Sequence, residues 1–461
     1  MRLPELFLEN MKDLLGEEYP EWLAGFDQTP ARGMRINTAK ADRCPFAAEK
    51  IPWTSNGYYY GENMVPSKHP YYAAGLYYLQ EPSAMTPAQM LPVKPGDKVL
   101  DLCAAPGGKS TELGAKLCKK GLLVANDISN SRAKALLKNL ELFGIPNICV
   151  TSEAPDKLAD TFGAYFDKIL VDAPCSGEGM FRKDPDLIRS YAEKGPEYYA
   201  ELQKKILTQA VRMLKPDGYL LYSTCTFSTK EDEDNVAWLL QTEPEMELCN
   251  LPLFDGAVRG VAGEPVIRLF PHKVRGEGHF LALFHRKGSA AGDSPAVYLD
   301  NRKTLKYLEK ETDFCAFEKR MTRQFIRERL MLKDNMLYEL PDFWHCGWKL
   351  RYLRTGLLLG ELKNGRFEPS QALAMTLKQE DYANTISFSW EQGDETADPV
   401  RDDRVIRYLK GETIALTEAE QSAAGKTKGW CLVCVDGYPM GWAKYAGTML
   451  KNKYYPGWRW Q

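Results

Sequence analysis

The sequence of 461 residues contains no apolar run long enough to span a bilayer, which argues against helical membrane spans. Its first segment also lacks a signal-like apolar core, because Glu5, Glu9 and Lys12 interrupt it. The eleven cysteines show no disulfide-framework spacing, and several fall inside apolar stretches. These absences argue against a disulfide-stapled secreted protein and predict a cytoplasmic protein with reduced thiols.

The chain also lacks an excess of positive charge, since its formal net charge is −2. A strongly basic domain would by itself indicate nucleic-acid binding, so any RNA site here has to be a local patch. The sequence has no internal repeat and no long low-complexity tract. One Cys-x-x-Cys pair, Cys431 and Cys434, falls inside a predicted strand at 430–435, and we therefore expect no metal or redox site there.

What the sequence does contain is an alternation of short apolar strands and helix-length segments between residues 66 and 287. This alternation predicts an α/β domain with a mostly parallel sheet, helices on both faces and an antiparallel edge strand at its end. The predicted strands lie near 97–102, 122–127, 147–151, 167–172, 218–224 and 279–285. The predicted helices lie near 108–119, 129–143 and 197–214.

Composition changes divide the rest of the chain. Residues 1–30 have helical spacing, and 32–38 predict a basic strand with its entry turn. The small, flexible run 288–295 is the clearest linker, and the polar acidic run 391–403 precedes a last segment rich in glycine and aromatic residues. The predicted domains are 1–65, 66–287, 296–388 and 391–461.

A glycine turn follows the first predicted core strand. Gly107 and Gly108 let the backbone approach a ligand, and the helix beyond them offers free N–H groups. Cys103 stands where a phosphate-binding P-loop needs glycine, and the turn lacks the G-x-G-x-x-G pattern of a dinucleotide site. Asp127 ends the next strand, where a carboxylate commonly accepts ribose hydroxyls. The pattern favours S-adenosylmethionine, which has no phosphate, over the alternative of an ordinary strand–helix turn with a surface aspartate.

Two cysteines follow two other predicted strands. Asp172 and Cys175 stand at the end of one strand, and Cys225 stands at the end of the next. A cysteine on a strand is more often a small buried apolar residue, but Asp172 ends an apolar strand, where an unpartnered carboxylate is costly. Ligands in open α/β sheets collect beyond the carboxyl ends of the strands, so we expect the carboxyl group, both thiols and the glycine turn in one crevice.

These groups suit methyl transfer to a weak carbon nucleophile. Addition of a thiolate to carbon 6 of cytosine gives carbon 5 carbanion character, so that carbon 5 can attack a sulfonium methyl group. A carboxyl group hydrogen-bonded to N3 and the exocyclic amine orients the ring and stabilises the adduct. A base then removes the carbon 5 proton, and elimination frees the enzyme. One thiol attacks and the second can assist release, and the residues alone leave open which does which.

Together these motifs resemble the Nol/Nop/Sun family of RNA cytosine-5 methyltransferases, most closely its RsmF-like bacterial ribosomal branch. Residues 101–110 are similar to the cofactor motif, 172–177 to the proline–cysteine motif and 223–226 to the threonine–cysteine motif. The segments 177–185 and 276–280 favour the RsmF-like branch. The resemblance implies a Rossmann-like class I S-adenosylmethionine methyltransferase core, an N-terminal RNA-recognition-like segment, and C-terminal small α+β and PUA-like domains.

The resemblance also implies roles for single residues. Cys225 is the nucleophile and Cys175 assists release, whereas DNA cytosine-5 methyltransferases attack with the cysteine of their Pro-Cys motif. Asp172 lies between cofactor and base, and Lys109 contacts the cofactor, the flipped base or backbone carbonyls. The family usually has an acidic residue near the adenine after the third strand, and Glu153 is off that spacing. The residues implied to hold S-adenosylmethionine are Cys103, Ala104, Ala105, Pro106, Gly107, Gly108, Lys109, Asp127, Arg132 and Asp172.

The last 32 residues resemble the PUA-like RNA-binding module of this branch and interleave cations with aromatic rings. The implied function is S-adenosylmethionine-dependent methylation of carbon 5 of cytosine in small-subunit ribosomal RNA, by a monomer without metal or membrane. The alternatives are the same chemistry on transfer RNA and a non-catalytic RNA-binding assembly factor, which has no need of two thiols in one cleft. The predicted RNA contacts are Arg32, Arg35, Lys444, Lys451 and Lys453.

Overall fold

The computed structural model of the chain describes residues 3–289, 300–390, 401–423 and 428–461. The predicted linker at 288–295 and acidic run at 391–403 lie largely outside these ranges. The N-terminal part contains helices and a three-stranded antiparallel sheet of order β2-β1-β3. Its elements are α1 (Glu5–Leu15), α2 (Tyr19–Ala24), β1 (Gly33–Ile36), β2 (Gly57–Tyr59), α3 (Pro70–Ala73) and β3 (Tyr77–Gln80).

The first two helices pack on the central domain through their apolar stripe. Phe7, Met11 and Trp22 are buried against Phe181 and Tyr191 of that domain. Apolar side chains at helical spacing need such a partner surface, because helices this short are marginal by themselves. The helical spacing within residues 1–30 and the strand within 32–38 are both present as predicted from the sequence.

The central domain supplies most of the large sheet and the helices that cover it. Its helices are α4 (Thr86–Met90), α5 (Gly108–Lys116), α6 (Asn130–Leu142), α7 (Pro155–Phe162), α8 (Asp186–Met213) and α9 (Glu233–Thr242). Its strands are β4 (Lys98–Asp101), β5 (Leu122–Asn126), β6 (Ile148–Thr151), β7 (Phe166–Asp172), β8 (Leu214–Thr224), β9 (Met246–Leu248), β10 (Ala257–Val258), β11 (Ile267–Leu269) and β12 (His279–Arg286).

The C-terminal part forms two smaller sheets with short helices. Its helices are α10 (Arg302–Leu308), α11 (Thr312–Glu318), α12 (Gln371–Thr376), α13 (Arg404–Leu409) and α14 (Glu418–Ala423). Its strands are β13 (Leu330–Lys333), β14 (Met336–Glu339), β15 (Tyr352–Thr355), β16 (Leu357–Lys363), β17 (Arg366–Pro369), β18 (Thr385–Phe388), β19 (Ile414–Ala415), β20 (Gly429–Val435), β21 (Tyr438–Tyr445) and β22 (Met449–Asn452).

The large sheet has the order β10-β11-β12-β8-β7-β4-β5-β6-β15, with β9 paired to β12. Strands β4 to β8 pair with one another in parallel, whereas β12 is antiparallel to β8 and β15 is antiparallel to β6. Their apolar runs are buried on both faces, by α5 and α6 on one side and by α7 and α8 on the other. β5 and β6 lie on one side of β4, and β7 and β8 lie on the other side, so the strand order reverses between β4 and β7. Open α/β sheets bind ligands at such a switch point. The predicted Rossmann-like class of fold is confirmed.

Helix α8 is longer than the sequence predicts. It spans 28 residues and contains one non-helical residue, Gly195, directly before Pro196. A proline inside a helix removes one backbone hydrogen bond and forces a kink. The helix predicted at 197–214 is therefore the part that follows the kink.

Three strands cross the domain boundaries that the sequence predicts. β3 lies beyond residue 65 but pairs with β1 in the N-terminal sheet, and β18 lies before residue 391 but pairs with β20. β15 lies in the chain between β14 and β16 of the four-stranded sheet β13-β14-β16-β17, but it pairs with β6 at the edge of the large sheet. The five-stranded sheet β18-β20-β21-β22-β19 shares an apolar core with the four-stranded one.

Cys431 and Cys434 are buried in β20, and burial raises the pKa of the Cys431 thiol to about 12. A buried thiol with so high a pKa is chemically inert. Among the residues that the structure describes, no helix is long and apolar enough to cross a membrane.

Candidate active site

The ends of β4 and β7 open onto a cavity of about 230 Å³ at the switch point of the sheet. Seven residues that the sequence singled out line it, and the N-terminal segment closes it from the other side. The lining residues are Tyr78, Leu79, Gln80, Glu81, Ala84, Asp101, Cys103, Ala104, Ala105, Pro106, Gly108, Lys109 and Asp172.

The glycine turn shapes the wall of this cavity. Gly107 has φ 113°, a conformation that L side chains rarely adopt, and it directly precedes α5. A Cβ atom on Gly108 would lie 3.1 Å from side-chain atoms of both Tyr78 and Gln80. Because Gly107 and Gly108 have no side chains, the space in front of the free N–H groups of α5 stays open.

Asp101 stands behind the turn and is fully buried. The Ser110 hydroxyl donates a 2.6 Å hydrogen bond to Oδ2 of Asp101. Burial outweighs this bond and raises the pKa of Asp101 to about 7. Asp101 is the first residue of the cofactor motif at 101–110, and the sequence pattern indicates no separate role for it.

Asp127 and Arg132 form an ion pair beside the turn. The Asp127 carboxylate accepts a hydrogen bond from the Ser129 N–H, and its Oδ2 lies 3.4 Å from Nη2 of Arg132. Nη2 of Arg132 also donates to the Ala105 carbonyl at 2.9 Å. Gly107 within the turn, and Asp127 and Arg132 beside it, do not line the cavity, so their contacts with a cofactor stay predictions.

Asp172 lies at the centre of a polar network at the end of β7. Lys109 Nζ donates to Oδ2 at 2.7 Å, and Ser223 Oγ donates to Oδ1 at 2.8 Å. Nε2 of His279 lies 3.4 Å from the same Oδ1. Burial alone would raise the pKa of Asp172, but the Lys109 ammonium and His279 hold it well below its usual range. Asp172 is thus a fixed carboxylate at the cavity wall.

The two cysteines lie side by side at the ends of β7 and β8. Their Sγ atoms are 3.2 Å apart, and both side chains are partly exposed. The hydrogen bond to Cys225 and burial raise the pKa of Cys175 well above its usual range. Burial works to lower the pKa of Lys109, but the negative charges of Asp172 and Cys225 raise it. Lys109 therefore connects the carboxylate to the thiol pair.

Two buried carboxylates that the sequence motifs do not single out hold the backbone behind the thiols. Glu231 accepts a hydrogen bond from the Ser176 N–H at 3.0 Å. Glu178 accepts one from the Phe227 N–H at 2.9 Å. Glu178 falls in a segment quoted for the family resemblance, whereas Glu231 begins an acidic run whose pattern predicts an exposed surface.

Arg35 corrects a sequence prediction. It was expected to contact RNA, but it is fully buried and pairs with Glu112 of α5. Its guanidinium also donates to the Gly108 carbonyl at 2.8 Å and to the Thr111 hydroxyl at 2.6 Å. Arg35 thus anchors the N-terminal sheet to α5 and presents no surface to RNA.

Glu153 has a structural explanation for its odd spacing. Its carboxylate accepts the Arg351 N–H at 2.7 Å and lies 3.1 Å from the Arg351 guanidinium. Arg351 immediately precedes β15, so Glu153 ties the C-terminal part to the edge of the large sheet. Both of its oxygens are occupied by this contact.

The remaining predicted RNA contacts lie apart from the thiols, at the surface. Arg32 and Lys451 are exposed, and Lys444 pairs with Lys451 across β21 and β22. Lys444 and Lys453 both lie over the ring of Trp430, at 4.6 and 5.9 Å from its centroid. These positions bring cations and an aromatic ring together, as the sequence pattern predicts.

Models of known families match nearly the whole chain. They are the 16S rRNA methyltransferase RsmB/F over residues 88–285, the N-terminal domain of 16S rRNA methyltransferase RsmF over 3–82, the RsmF rRNA methyltransferase first C-terminal domain over 316–377 and the methyltransferase RsmF PUA domain over 399–460. The Ribosomal RNA small subunit methyltransferase F of Shewanella oneidensis is 31% identical over 481 residues, covering 96% of this chain and 95% of that protein. The chain belongs to the RsmF family of 16S rRNA methyltransferases. The resemblance seen in its motifs is thereby confirmed, and as an RsmF family member it is an S-adenosylmethionine-dependent rRNA methyltransferase.

Other similarities agree with membership in the RsmF family. The protein of the same name from Erwinia tasmaniensis is 28% identical, covering 98% of this chain and 95% of that protein. A crystal structure described as a methyltransferase homolog protein from Pyrococcus horikoshii is 28% identical with a TM-score of 0.54, covering 61% of this chain and 95% of that one. The structure of NSun6 from Pyrococcus horikoshii with SFG has a TM-score of 0.55 at 23% identity, covering 62% and 99%, and supports the fold.

Proposed function

We propose that this enzyme methylates carbon 5 of cytosine in small-subunit ribosomal RNA through a covalent bond between Cys225 and carbon 6 of the base. The observation that carries the proposal is the 3.2 Å approach of the two Sγ atoms just beyond the ends of β7 and β8, the strand ends where Asp172 lines the cavity and accepts a hydrogen bond from Ser223. Methyl transfer to an oxygen or a nitrogen needs no thiol, whereas carbon 5 of a pyrimidine becomes nucleophilic only after addition at carbon 6.

The cavity fits the predicted cofactor. The glycine turn and the start of α5 form part of its wall. A Cβ atom on Gly107 would crowd Leu136, and one on Gly108 would crowd Tyr78 and Gln80. We propose that the turn from Cys103 to Lys109, with Asp127 and Arg132 beside it, holds S-adenosylmethionine, which supplies an electrophilic methyl group when bound. Asp172 lines this pocket and the two cysteines do not, and we propose that Asp172 lies between the cofactor and the base.

The residues around the thiols have complementary tasks in this chemistry. The Cys225 thiolate adds to carbon 6, and Lys109 interacts electrostatically with this cysteine as well as with Asp172. Asp172, held by Lys109 and Ser223, accepts hydrogen bonds from the exocyclic amine and orients the ring. After methylation a base accepts the carbon 5 proton, the electron pair of that C–H bond re-forms the carbon 5–carbon 6 double bond, and the C–S bond breaks to release the Cys225 thiolate. Cys175, 3.2 Å away, assists this release.

We propose that the RNA reaches the site along a cleft of about 790 Å³ between α6, the four-stranded sheet and the C-terminal residues. Lys134 and Lys138 of α6 are exposed on one wall, and Lys453 and the exposed Tyr455 lie on the other. Cations neutralise phosphates and exposed rings stack on unpaired bases. Other surface residues proposed to contact the RNA are Arg32, Lys444 and Lys451.

The test is methyl transfer in vitro from labelled S-adenosylmethionine to unmodified small-subunit RNA, followed by digestion to nucleosides and mass spectrometry. The expected product is 5-methylcytidine, lost in Cys225→Ser. Any other methylated nucleoside would refute the proposal.

The same assay with transfer RNA in place of ribosomal RNA tests transfer RNA as the alternative substrate. Normal function of a Cys175→Ala/Cys225→Ala enzyme in cells would indicate a non-catalytic assembly factor. We further propose that the enzyme is a monomer, which analytical sedimentation tests. We also propose that it acts inside the cell, which cell fractionation tests.

A further inference from the structure

We infer that Glu231 makes Cys225, and not Cys175, the thiolate of the pair. Two thiols 3.2 Å apart share a proton, and either sulfur can hold it. The groups behind each sulfur therefore decide which one attacks. This inference rests on the proposed function, because it explains the choice of nucleophile within the same site.

The Glu231 carboxylate is fixed against the loop that carries Cys175. Its Oε2 accepts hydrogen bonds from the Ser176 N–H at 3.0 Å and from Nε2 of Gln203 at 2.8 Å. The same Nε2 donates to the Pro174 carbonyl at 2.9 Å. The fully buried Glu231 thus holds the backbone after Cys175 directly, at Ser176, and the backbone before it only through Gln203.

A charge in this position opposes a second negative charge on Cys175. Besides its bond to Cys225 and its burial, the charges of Cys225 and Glu231 raise the pKa of Cys175. Lys109, which donates to Asp172 at 2.7 Å, also interacts electrostatically with Cys225, and this interaction contributes to the raised pKa of Lys109. The pair is therefore polarised, with the proton on Cys175, whose S–H donates to the Cys225 thiolate.

Glu178 provides the internal comparison. It is equally buried, and it accepts hydrogen bonds from Phe227 N–H and from the Thr226 hydroxyl, both just after Cys225. Burial raises the pKa of Glu178, and the positive Arg268, which pairs directly with Asp232 and Glu233, works to lower it. Within the described part of the chain neither carboxylate forms a salt bridge, and at Glu231 the groups that work against burial are the neutral Ser176 and Gln203. The carboxylate behind Cys175 thus acts as an uncompensated charge.

The test measures thiolate reactivity without RNA or S-adenosylmethionine. Intact enzyme is treated with limiting iodoacetamide at pH 8, above the pKa of about 7 to which burial raises Glu231, and each cysteine is quantified by peptide mass spectrometry. We expect wild type to react mainly at Cys225. In Glu231→Gln the ratio of Cys175 to Cys225 labelling should rise about tenfold, the effect of one pKa unit.

The matched control is Glu178→Gln, which removes a buried carboxylate of the same hydrogen-bonding type on the Cys225 side. It should not raise Cys175 labelling, so a rise there would show that loosening alone exposes Cys175 and would overturn the inference. Glu231→Asp withdraws the charge from the loop and should shift the ratio in the same direction, about threefold. Wild-type labelling ratios in Glu231→Gln, or in Glu231→Asp if the first variant does not fold, would also overturn it.

The outcome is independent of the proposed chemistry. If the labelling shifts as expected but no 5-methylcytidine forms on RNA, the proposed function fails and the polarised pair stands. If methylation proceeds through Cys225 while labelling is unchanged, the proposed function stands and Glu231 has no part in the choice.

Discussion

At the scale of single residues, Asp172 is the side chain on which the proposed geometry depends most. Asp172→Asn keeps the volume but loses the charge that binds Lys109, so we expect turnover to fall by about a hundredfold or more. Steady-state kinetics with RNA measures this. Asp97→Asn is the control, because Asp97 lies 3.8 Å from Lys168 at the other end of the strands. Turnover near wild type in Asp172→Asn would remove Asp172 from the mechanism.

Asp101 predicts a pH dependence of stability. Its folded pKa of about 7 lies above the value of about 4 for an unfolded aspartate. The folded state then binds more protons between these values, so stability is greatest below about pH 4 and falls as the pH rises to about 7. Urea unfolding at pH 5 and pH 8 should show wild type losing about 2 kcal/mol more than Asp101→Asn. An equal loss in both proteins would contradict the raised pKa.

Residue positions were predictable where they follow from local sequence, and unpredictable where partners distant in the chain decide them. Cys175, Cys225 and Asp172 end strands, so topology alone brings them together. Arg35 is a basic strand residue in the sequence, and only its pairing with Glu112, 77 positions away, shows that it is buried. Charge pattern alone cannot distinguish an exposed cation from one that meets a buried carboxylate.

At the scale of structural elements, the start of α5 should tolerate no side chain. Gly107→Ala places Cβ 3.2 Å from Leu136 at φ 113°, so the turn must move. We expect the affinity for S-adenosylmethionine, measured by calorimetry, to fall about tenfold, the effect of about 1.4 kcal/mol. Gly96→Ala is the control: its φ is 99°, with nothing within 4 Å of the added Cβ. Gly96→Ala should lower stability but leave the affinity for S-adenosylmethionine unchanged. Equal losses of affinity in Gly107→Ala and Gly96→Ala would refute the steric account.

The elements themselves show how far sequence pattern reaches. All six predicted strands of the central sheet are present, because apolar runs between turns leave few other choices. β15 was not predicted. It is short and mixed in character, and its partner β6 is some 200 residues earlier in the chain, so that tertiary packing alone decides its pairing.

At the scale of the whole molecule, the shared core changes how RNA docking should be tested. Trp430 and Trp442 of the C-terminal sheet pack against Phe317 and Phe367 of the neighbouring domain. Removal of residues 391–461 would expose that core, so a change in RNA affinity would be confounded with unfolding. Surface charge changes avoid this problem.

We expect Lys134→Glu/Lys138→Glu to raise the KM for RNA about tenfold or more with turnover little changed, because two phosphate contacts are lost and two repulsions are added. The salt dependence of binding should weaken as well. The control is Lys157→Glu/Lys205→Glu, which makes the same charge change on exposed lysines of α7 and α8, across the sheet. Equal effects in both pairs would show that net charge, and not the cleft, attracts RNA.

The most direct test of the central claim is covalent trapping. Cys175→Ala enzyme is mixed with unmodified small-subunit RNA and S-adenosylmethionine and run on a denaturing gel. The account predicts a protein–RNA band, because the adduct forms through Cys225 and release is impaired. The band should vanish in Cys175→Ala/Cys225→Ala. Methylation of the RNA by Cys225→Ala enzyme, with no band from Cys175→Ala, would show instead that Cys175 is the nucleophile and would contradict the account.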